Sequence, residues 1–334
     1  MPVEEFDLFS FSTPKFKIDR PVRLIELFAG IGSQAKALKR LGVNFTHHRV
    51  VEWDKYAMAS YNAIHQTNFE TSDIQKIHAA DLGIAERERF IYIMTYSFPC
   101  QDLSLAGNQK GMTKGSGTRS GLLWEVERLL DECEELPQVL LMENVPQVIG
   151  QKNIKDFQKW RSKLESLGYT NFVQILNSKD YGIPQNRNRC FMVSILGDYH
   201  YSFPKKKKLE LKLKDMLEDK VDEKYYLSDK AIRYILKEER IEKKYTQING
   251  DIAVPCTAVG KNNWTGTFIQ NEMGGGSSKK EQENTNRMRC SASMEKCDAC
   301  RLPTTSTNHL SKAVRSSGRG SLDRHSWDLI NEEN

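Results

Sequence analysis

Between Pro21 and about Pro204 the apolar positions fall into two alternating patterns. Short runs with little polar interruption, "VRLIELFA", "RFIYIMTY" and "PQVLLMEN", have the length and continuity of strands buried on both faces of a parallel sheet. "FTHHRVVEW", ending at Glu52-Trp53, and "NFVQILN" supply further strands, and "CFMVSILG" reads as one more, near a hairpin with its predecessor. Between the strands lie segments with helical spacing: "SQAKALKRLG", "KYAMASYNAIH", "LLWEVERLLDEC" and "IKDFQKWRSKLESLG". Gly42 stands where the first of these helices needs a C-terminal cap. Strands alternating with helices of this length predict right-handed βαβ crossovers, hence an α/β fold with a doubly wound, mostly parallel sheet.

The texture on either side of that block differs. Residues 1–20 form an N-terminal extension, 21–204 the α/β domain, 205–270 a basic region, and 271–334 a tail. The basic region opens on four lysines, Lys205 to Lys208, which suit a solvated linker or, as the second reading, contact with phosphates. From Asn271 onward only six of sixty-four residues are Leu, Ile or Val, and Trp327 is the single aromatic, so the stretch can bury little and is expected to be flexible.

Composition narrows the setting. With 334 residues and 39% hydrophobic content the chain can bury one sizeable core, or a core and a smaller domain. The net charge of +5 is a mild hint of a polyanionic partner. No run of 18 apolar residues is present and the N-terminus lacks the order of a signal peptide, so no membrane span is expected, and the setting is read as cytoplasmic. Seven scattered cysteines fit reduced thiols. Cys290, Cys297 and Cys300 with His309 and His325 offer one Cys-x-x-Cys and no second pair, so no metal is expected.

Three strand ends carry chemistry. After the first strand, Phe28-Ala29-Gly30-Ile31-Gly32 forms a tight turn into a helix; its glycines let a ligand approach the backbone, although the third glycine of the dinucleotide fingerprint is missing. Glu52 ends the second strand, where a carboxylate can accept both hydroxyls of a ribose, and Trp53 beside it offers a flat face to a purine. Asp73 in "TSDIQKI" is placed to accept from an adenine amino group. That order suits an adenosine without phosphates. A third strand empties into "SFPCQDLS", where Cys100 follows Pro99 and could act as a nucleophile, whereas Cys133 fits the ordinary role of a small buried hydrophobe. "MENV" adds Glu143 and Asn144, and "QNRNR" adds Gln185, Arg187 and Arg189.

Taken in order, "FAGIG", "EW", "SDI", "SFPCQDLS", "RSGLLWEVERLL", "MENV" and "QNRNR" resemble the DNA cytosine-5 methyltransferases of bacteria and their phages, over about Arg23 to Leu196. The resemblance implies methyl transfer from S-adenosylmethionine to C5 of cytosine in a specific double-stranded DNA sequence. Cys100 would be the nucleophile that adds to C6, with Pro99 fixing its loop. Glu143 would bond N3 and the exocyclic amine, Arg187 would orient Glu143 and contact the base carbonyl, and Arg189 would be its companion at the sugar-phosphate or near Cys100. Asn144 would shape the turn that aims Glu143. Phe28 and the Gly30–Gly32 turn would face the cofactor, Glu52 its ribose, Trp53 and Ile74 the adenine ring, Asp73 the amino group, and Leu122 a further wall. The target base must leave the helical stack to be reached, and the Gly-, Ser- and Lys-rich segment Ser104–Ser120 resembles the family's mobile loop that closes over it.

The chain departs from the pattern after the recognition region. The Arg-x-Leu-Thr-like strand and the Gly-Asn-Ser/Ala helix start that normally complete the cofactor pocket are not found. Beside the DNA-directed enzyme this leaves as alternatives an inactive copy or a half enzyme completed by a second polypeptide; a tRNA-directed enzyme on the same fold is a further alternative.

Overall fold

The computed structural model describes residues 14–103, 110–217, 226–255, 265–270 and 288–290. Two compact units divide them: the first holds the described residues up to 176 together with 188–205, and the second holds 177–187 and the described residues from 206 to 290.

The first unit runs β1 (Val22–Leu27), α1 (Ser33–Arg40), β2 (Phe45–Val51), α2 (Lys55–His65), a single turn α3 (Ala79–Leu82), β3 (Ile91–Tyr96), α4 (Leu123–Glu132), β4 (Val139–Asn144), α5 (Ile154–Ser166), β5 (Tyr169–Asn177) and β6 (Asn188–Leu196). The six strands form one sheet in the order β2-β1-β3-β4-β6-β5. β2, β1, β3 and β4 are parallel, and β6 runs antiparallel to β4. All six residues of β3 are buried, as the unbroken apolar run requires of a strand covered on both faces. Beneath the sheet, Trp160 of α5 is fully buried and its indole N–H donates to the Tyr96 hydroxyl at 3.1 Å, so the polar atoms of two large core rings satisfy each other.

Register brings the chemistry to one edge. Leu27 pairs with both Val51 and Tyr96, and Tyr96 pairs with Met142. The residues that follow, Phe28, Glu52 and Ser97, therefore leave the sheet beside Glu143 near the end of β4, at the carboxyl ends of the parallel strands. The chain winds from β1 outward to β2 on one side and to β3 on the other, which makes the crevice above β1 the switch point of the sheet.

The second unit contains α6 (Asp229–Ile235), α7 (Glu238–Glu242) and a three-stranded sheet of β7 (Thr246–Ile248), β8 (Gly266–Gln270) and β9 (Met288–Cys290). Its core is small, with Ile235, Phe268 and Met288 buried together. Strand β9 lies inside the stretch that composition reads as a flexible tail. An average over many residues does not register three residues whose Met288 fills a core position. The remaining residues from 291 to 334, the extension 1–13 and loop residues 104–109 lie outside the described residues. Among the described residues no helix is long and apolar enough to cross a membrane.

Candidate active site

At the switch point the first unit encloses a cavity of about 270 Å³. Its walls include Phe28, Gly30, Glu52, Trp53, Asp73, Ile74, Leu122 and Pro99. Phe28 takes the left-handed backbone conformation at φ 57°, a strained setting for a bulky side chain of the kind that functional turns retain. Gly30 is also left-handed, and a Cβ built there would meet nothing within 4 Å, so its open side gives a ligand direct access to the backbone. Each oxygen of Glu52 accepts one backbone N–H, from Gly30 and from Asp54, both at 2.8 Å. These bonds fix the carboxyl and leave further lone pairs for a diol. Burial nevertheless pushes its pKa above the ordinary carboxylate value. Trp53 is 65% exposed, a large free ring face, while Ile74 is buried in the wall. Ser72 adds a buried hydroxyl oxygen without a hydrogen-bond partner. An aromatic face, a buried carboxylate, an acid at the rim and an orphaned hydroxyl suit a nucleoside.

Gly32, expected beside Gly30 in the ligand site, is not part of the cavity wall. Its φ is +77°, and a Cβ there would lie 2.3 Å from His65 Nε2 and 2.6 Å from the Tyr61 ring. Glycine is required at this position by the approach of α2. Under the same turn Glu26 is fully buried; its carboxyl accepts from the Tyr61 hydroxyl, which also stands 2.6 Å from His47 Nδ1. Burial lifts Glu26 to a pKa of about 7, and burial together with the charge of His47 lowers His65 to about 4.

The thiol edge is built by side-chain struts. Cys100 is half-buried and packs against the main core. Ser120 donates to the Pro99 carbonyl at 2.6 Å and accepts from Asp102 N at 3.3 Å. The buried Asp102 carboxylate returns the contact, accepting from Arg119 N at 2.8 Å and Ser120 N at 3.3 Å. The strand that carries Glu143 is tied to the same loop, because Asn144 donates to the Phe98 carbonyl at 3.0 Å. Glu143 is 3% exposed, and Arg189 Nε stands 2.7 Å from its Oε1. In the antiparallel register Glu143 faces Phe191, and Arg189, two residues earlier on the same face, is its diagonal neighbour; the resemblance gives the orienting of Glu143 to Arg187. Arg187 is a buried residue of the second unit, its N–H donating to Asn177 Oδ1 at 3.2 Å and its carbonyl accepting from Ser178 N.

Burial pushes Cys133 up to about 11 and Cys190 to about 12, which keeps both as thiols near neutral pH. Among the described residues no group of three His, Cys, Asp or Glu could hold a metal ion.

Several wall residues escape sequence reasoning. Gln34 donates to Ser97 Oγ at 3.1 Å, and Arg119 donates to Gln101 Oε1 at 2.8 Å; all four line the cavity. Ser97 and Gln101 flank the cysteine motif and were within reach of it. Gln34 and Arg119 carry no local signal, since only the folded turn and loop bring them in.

Comparison with known proteins points the same way. The sequence pattern of the C-5 cytosine-specific DNA methylases matches residues 22–315. The orphan methyltransferase M.SssI of Spiroplasma monobiae is 37% identical over 276 residues, 66% of this chain and 70% of that protein. The type II methyltransferase M2.ScrFI of Lactococcus lactis subsp. cremoris is 33% identical over 297 residues, 75% of this chain and 78% of the relative. Among solved structures, the S. pombe Dnmt2 methyltransferase aligns with a TM-score of 0.64 at 17% identity, covering 88% of this chain and 93% of its own, a likeness of fold.

Proposed function

The chain belongs to the C-5 cytosine-specific DNA methylase family, and from that premise we propose that it methylates cytosine in duplex DNA by covalent catalysis through Cys100, with S-adenosylmethionine held in the cavity above β1. The observation that carries the reading is the convergence of a thiol, a buried carboxyl and a cavity lined by Glu52, Trp53 and Asp73 at one strand edge of a single unit.

C5 of cytosine is a weak nucleophile, so the base has to be activated first. Cys100, as the thiolate, adds to C6, and the displaced electron pair moves toward N3 while Glu143 supplies a proton or hydrogen bond there. C5 is then enamine-like and takes a methyl group. The cofactor would supply that group from a sulfonium centre, whose sulfur keeps the S–C bonding pair and leaves as a neutral thioether. Loss of the C5 proton to a base returns the electron pair and expels the Cys100 thiolate, which restores the aromatic ring. Arg189 holds the Glu143 carboxyl in place, and Asn144 and Ser120 hold the loop that carries the thiol. For Arg187 we retain the orienting of Glu143 and contact with the base carbonyl, and for the second unit the reading of the DNA sequence. In the cavity, Glu52 takes the ribose, Trp53 and Ile74 the adenine faces, and Asp73 the amino group.

The test is transfer of labelled methyl to mixed duplex DNA and to tRNA by the full chain and by Cys100→Ala. Counts recovered as 5-methylcytosine in DNA, absent from the variant, are expected. Counts that persist in the variant would remove Cys100 from the mechanism. Counts in tRNA alone would move the substrate to RNA, and a folded, cofactor-binding chain without turnover would make this a half enzyme requiring a second polypeptide.

A further inference from the structure

α4 carries an arginine that touches neither the cavity nor the thiol, yet reaches back to the loop forming the adenine wall. Arg128 Nη2 donates to the carbonyl of Ile74 at 2.9 Å and to that of Ile77 at 3.0 Å. The same guanidinium is held by Glu125 through Nε at 2.8 Å and by Glu132 through Nη1 at 2.7 Å. Glu132 in turn accepts from Ala79 N at 3.1 Å and stands 3.3 Å from His78 Nδ1.

The segment between α2 and α3 needs such support. Residues 66–78 contain no helix or strand; the segment is fastened at one end by Ser72 N donating to the Glu52 carbonyl at 2.9 Å, and internally by Lys76 N to the Asp73 carbonyl. Its far side rests on Arg128 and Glu132. Arg128 with two glutamates one turn away would ordinarily count as an exposed helix ion pair of small effect. The two carbonyls make it different, because a rigid planar fork serves four acceptors at fixed angles, which a lysine ammonium cannot reproduce.

We propose that Arg128 is a positioning residue for adenine recognition: by clamping the Ile74 and Ile77 carbonyls it sets the height of Ile74 and the direction of the Asp73 carboxylate at the cavity rim. The inference rests on the reading of this cavity as the adenosine site. It extends that reading to a residue outside the cavity and to base selectivity, since a wall fixed before binding lets a hydrogen-bonding edge discriminate without the cost of ordering it.

Calorimetric titration of the full chain with S-adenosylhomocysteine and with its inosine counterpart tests this. The inosine compound presents an oxygen where adenine presents an amino group, so Asp73 loses its donor and meets an acceptor. Wild-type protein is expected to prefer the adenosine ligand strongly. Arg128→Lys, which keeps the charge, should weaken the adenosine ligand by about tenfold, the equivalent of one charge-assisted hydrogen bond, and compress the preference by the same factor. Glu125→Gln, which removes an ion pair but leaves both carbonyl bonds, should hold the preference within about twofold. A preference in Arg128→Lys equal to that of the wild type would overturn the proposal. So would an equal loss for both ligands accompanied by a lower melting temperature, the mark of a purely structural residue. A wild-type protein that binds both ligands alike would instead overturn the assignment of Asp73 to the adenine amino group, and Arg128's role with it. Should Arg128→Lys fail to fold, Arg128→Gln, whose amide can still donate to one carbonyl, carries the same comparison.

Discussion

Two neighbourhoods share the carboxyl edge of the sheet and are held by different means. The cavity above β1 and β2 is shaped by backbone: two left-handed turn residues, and a carboxylate fixed by two backbone N–H groups. The thiol edge at β3, β4 and β6 is shaped by side chains: Ser120 on the Pro99 carbonyl, Asn144 on the Phe98 carbonyl, and Arg189 against Glu143. Backbone-built sites tolerate most single substitutions with a change in affinity. A site built from side-chain struts is expected to lose rate, because each strut places a reacting atom. The contrast predicts that the two sides separate in kinetics, cofactor affinity following the first and turnover the second.

The sharpest separation should come from Glu143→Gln. The amide preserves shape and hydrogen bonding but cannot deliver a proton to N3, so turnover should fall by roughly 10²–10⁴-fold, the range for a positioned acid. Affinity for S-adenosylhomocysteine should stay within about twofold, since Glu143 is not part of the cavity wall. Single-turnover rates alongside calorimetry check this, and a matched loss of affinity would break the contrast.

Next in size is an effect of pH on the buried cluster under the first turn. Glu26 has its folded pKa raised from 4.5 to about 7, with burial the leading cause. The folded state therefore binds a proton that the unfolded chain has already released above 4.5. The stability tied to Glu26 is fully present below that value and is lost as pH rises through about 7. The loss amounts to about 3 kcal/mol if the whole shift is expressed. His65 acts with the opposite slope: its folded pKa is lowered to about 4, so its contribution is present above the ordinary histidine value and is lost as pH falls through about 4. Glu26→Gln should remove only the first slope. Denaturant melts of wild type and variant should draw together at low pH and part in the variant's favour as pH rises to about 8. A constant offset at all pH values would show that the carboxyl does not titrate with folding.

Gly30 and Gly32 separate the cavity side from its own support. At Gly32 an alanine meets His65 and Tyr61 in addition to a positive φ, and a stability loss of about 2 kcal/mol is expected from the clash and strain together. At Gly30 the space is open, so the backbone cost alone applies, roughly 1 kcal/mol, while the methyl group projects where the ligand approaches. Gly30→Ala should thus lose affinity more than stability, and Gly32→Ala the reverse. Equal profiles would mean that both glycines serve the same purpose.

These residues also mark what the sequence could reveal. Strands such as β3 are legible because burial on both faces leaves an unbroken apolar run. The turn and the acid after β2 are legible because each sits next to a strand end, where register gathers them; the acid of "SDI" lies far from any strand end and reaches the wall through Ser72 N on the Glu52 carbonyl. The purpose of Gly32 is not legible, since it depends on side chains that α2 brings in from more distant sequence. Nor could "QNRNR" reveal that Arg189 stands beside Glu143. That contact depends on the pairing of Glu143 with Phe191, which sets Arg189 diagonally beside it. In the second unit, composition averaged over the final stretch concealed β9, which three residues and one buried methionine suffice to form.

The smallest of the expected effects tests the thiol edge through a residue that touches no reactant. Ser120 bridges Pro99 and Asp102, while Asp102 holds the start of the next turn through Arg119 and Ser120. Removing the hydroxyl in Ser120→Ala leaves the Asp102 carboxylate contacts to backbone intact and releases the Pro99 carbonyl. The hydroxyl also accepts from Asp102 N, so stability should fall by about 2 kcal/mol, of which about 1 kcal/mol belongs to the strut on Pro99. If the strut only stabilises, turnover at saturating cofactor will be unchanged. If it positions Cys100, the strut's share of that energy appears in the barrier, and the covalent step slows by about fivefold while cofactor affinity holds. Trapping rates with a duplex carrying 5-fluorocytosine, which arrests the enzyme after methyl transfer for want of a removable C5 proton, read that step directly. A Ser120→Ala protein that traps at the wild-type rate would assign the aim of the thiol to Pro99 and Asn144 alone.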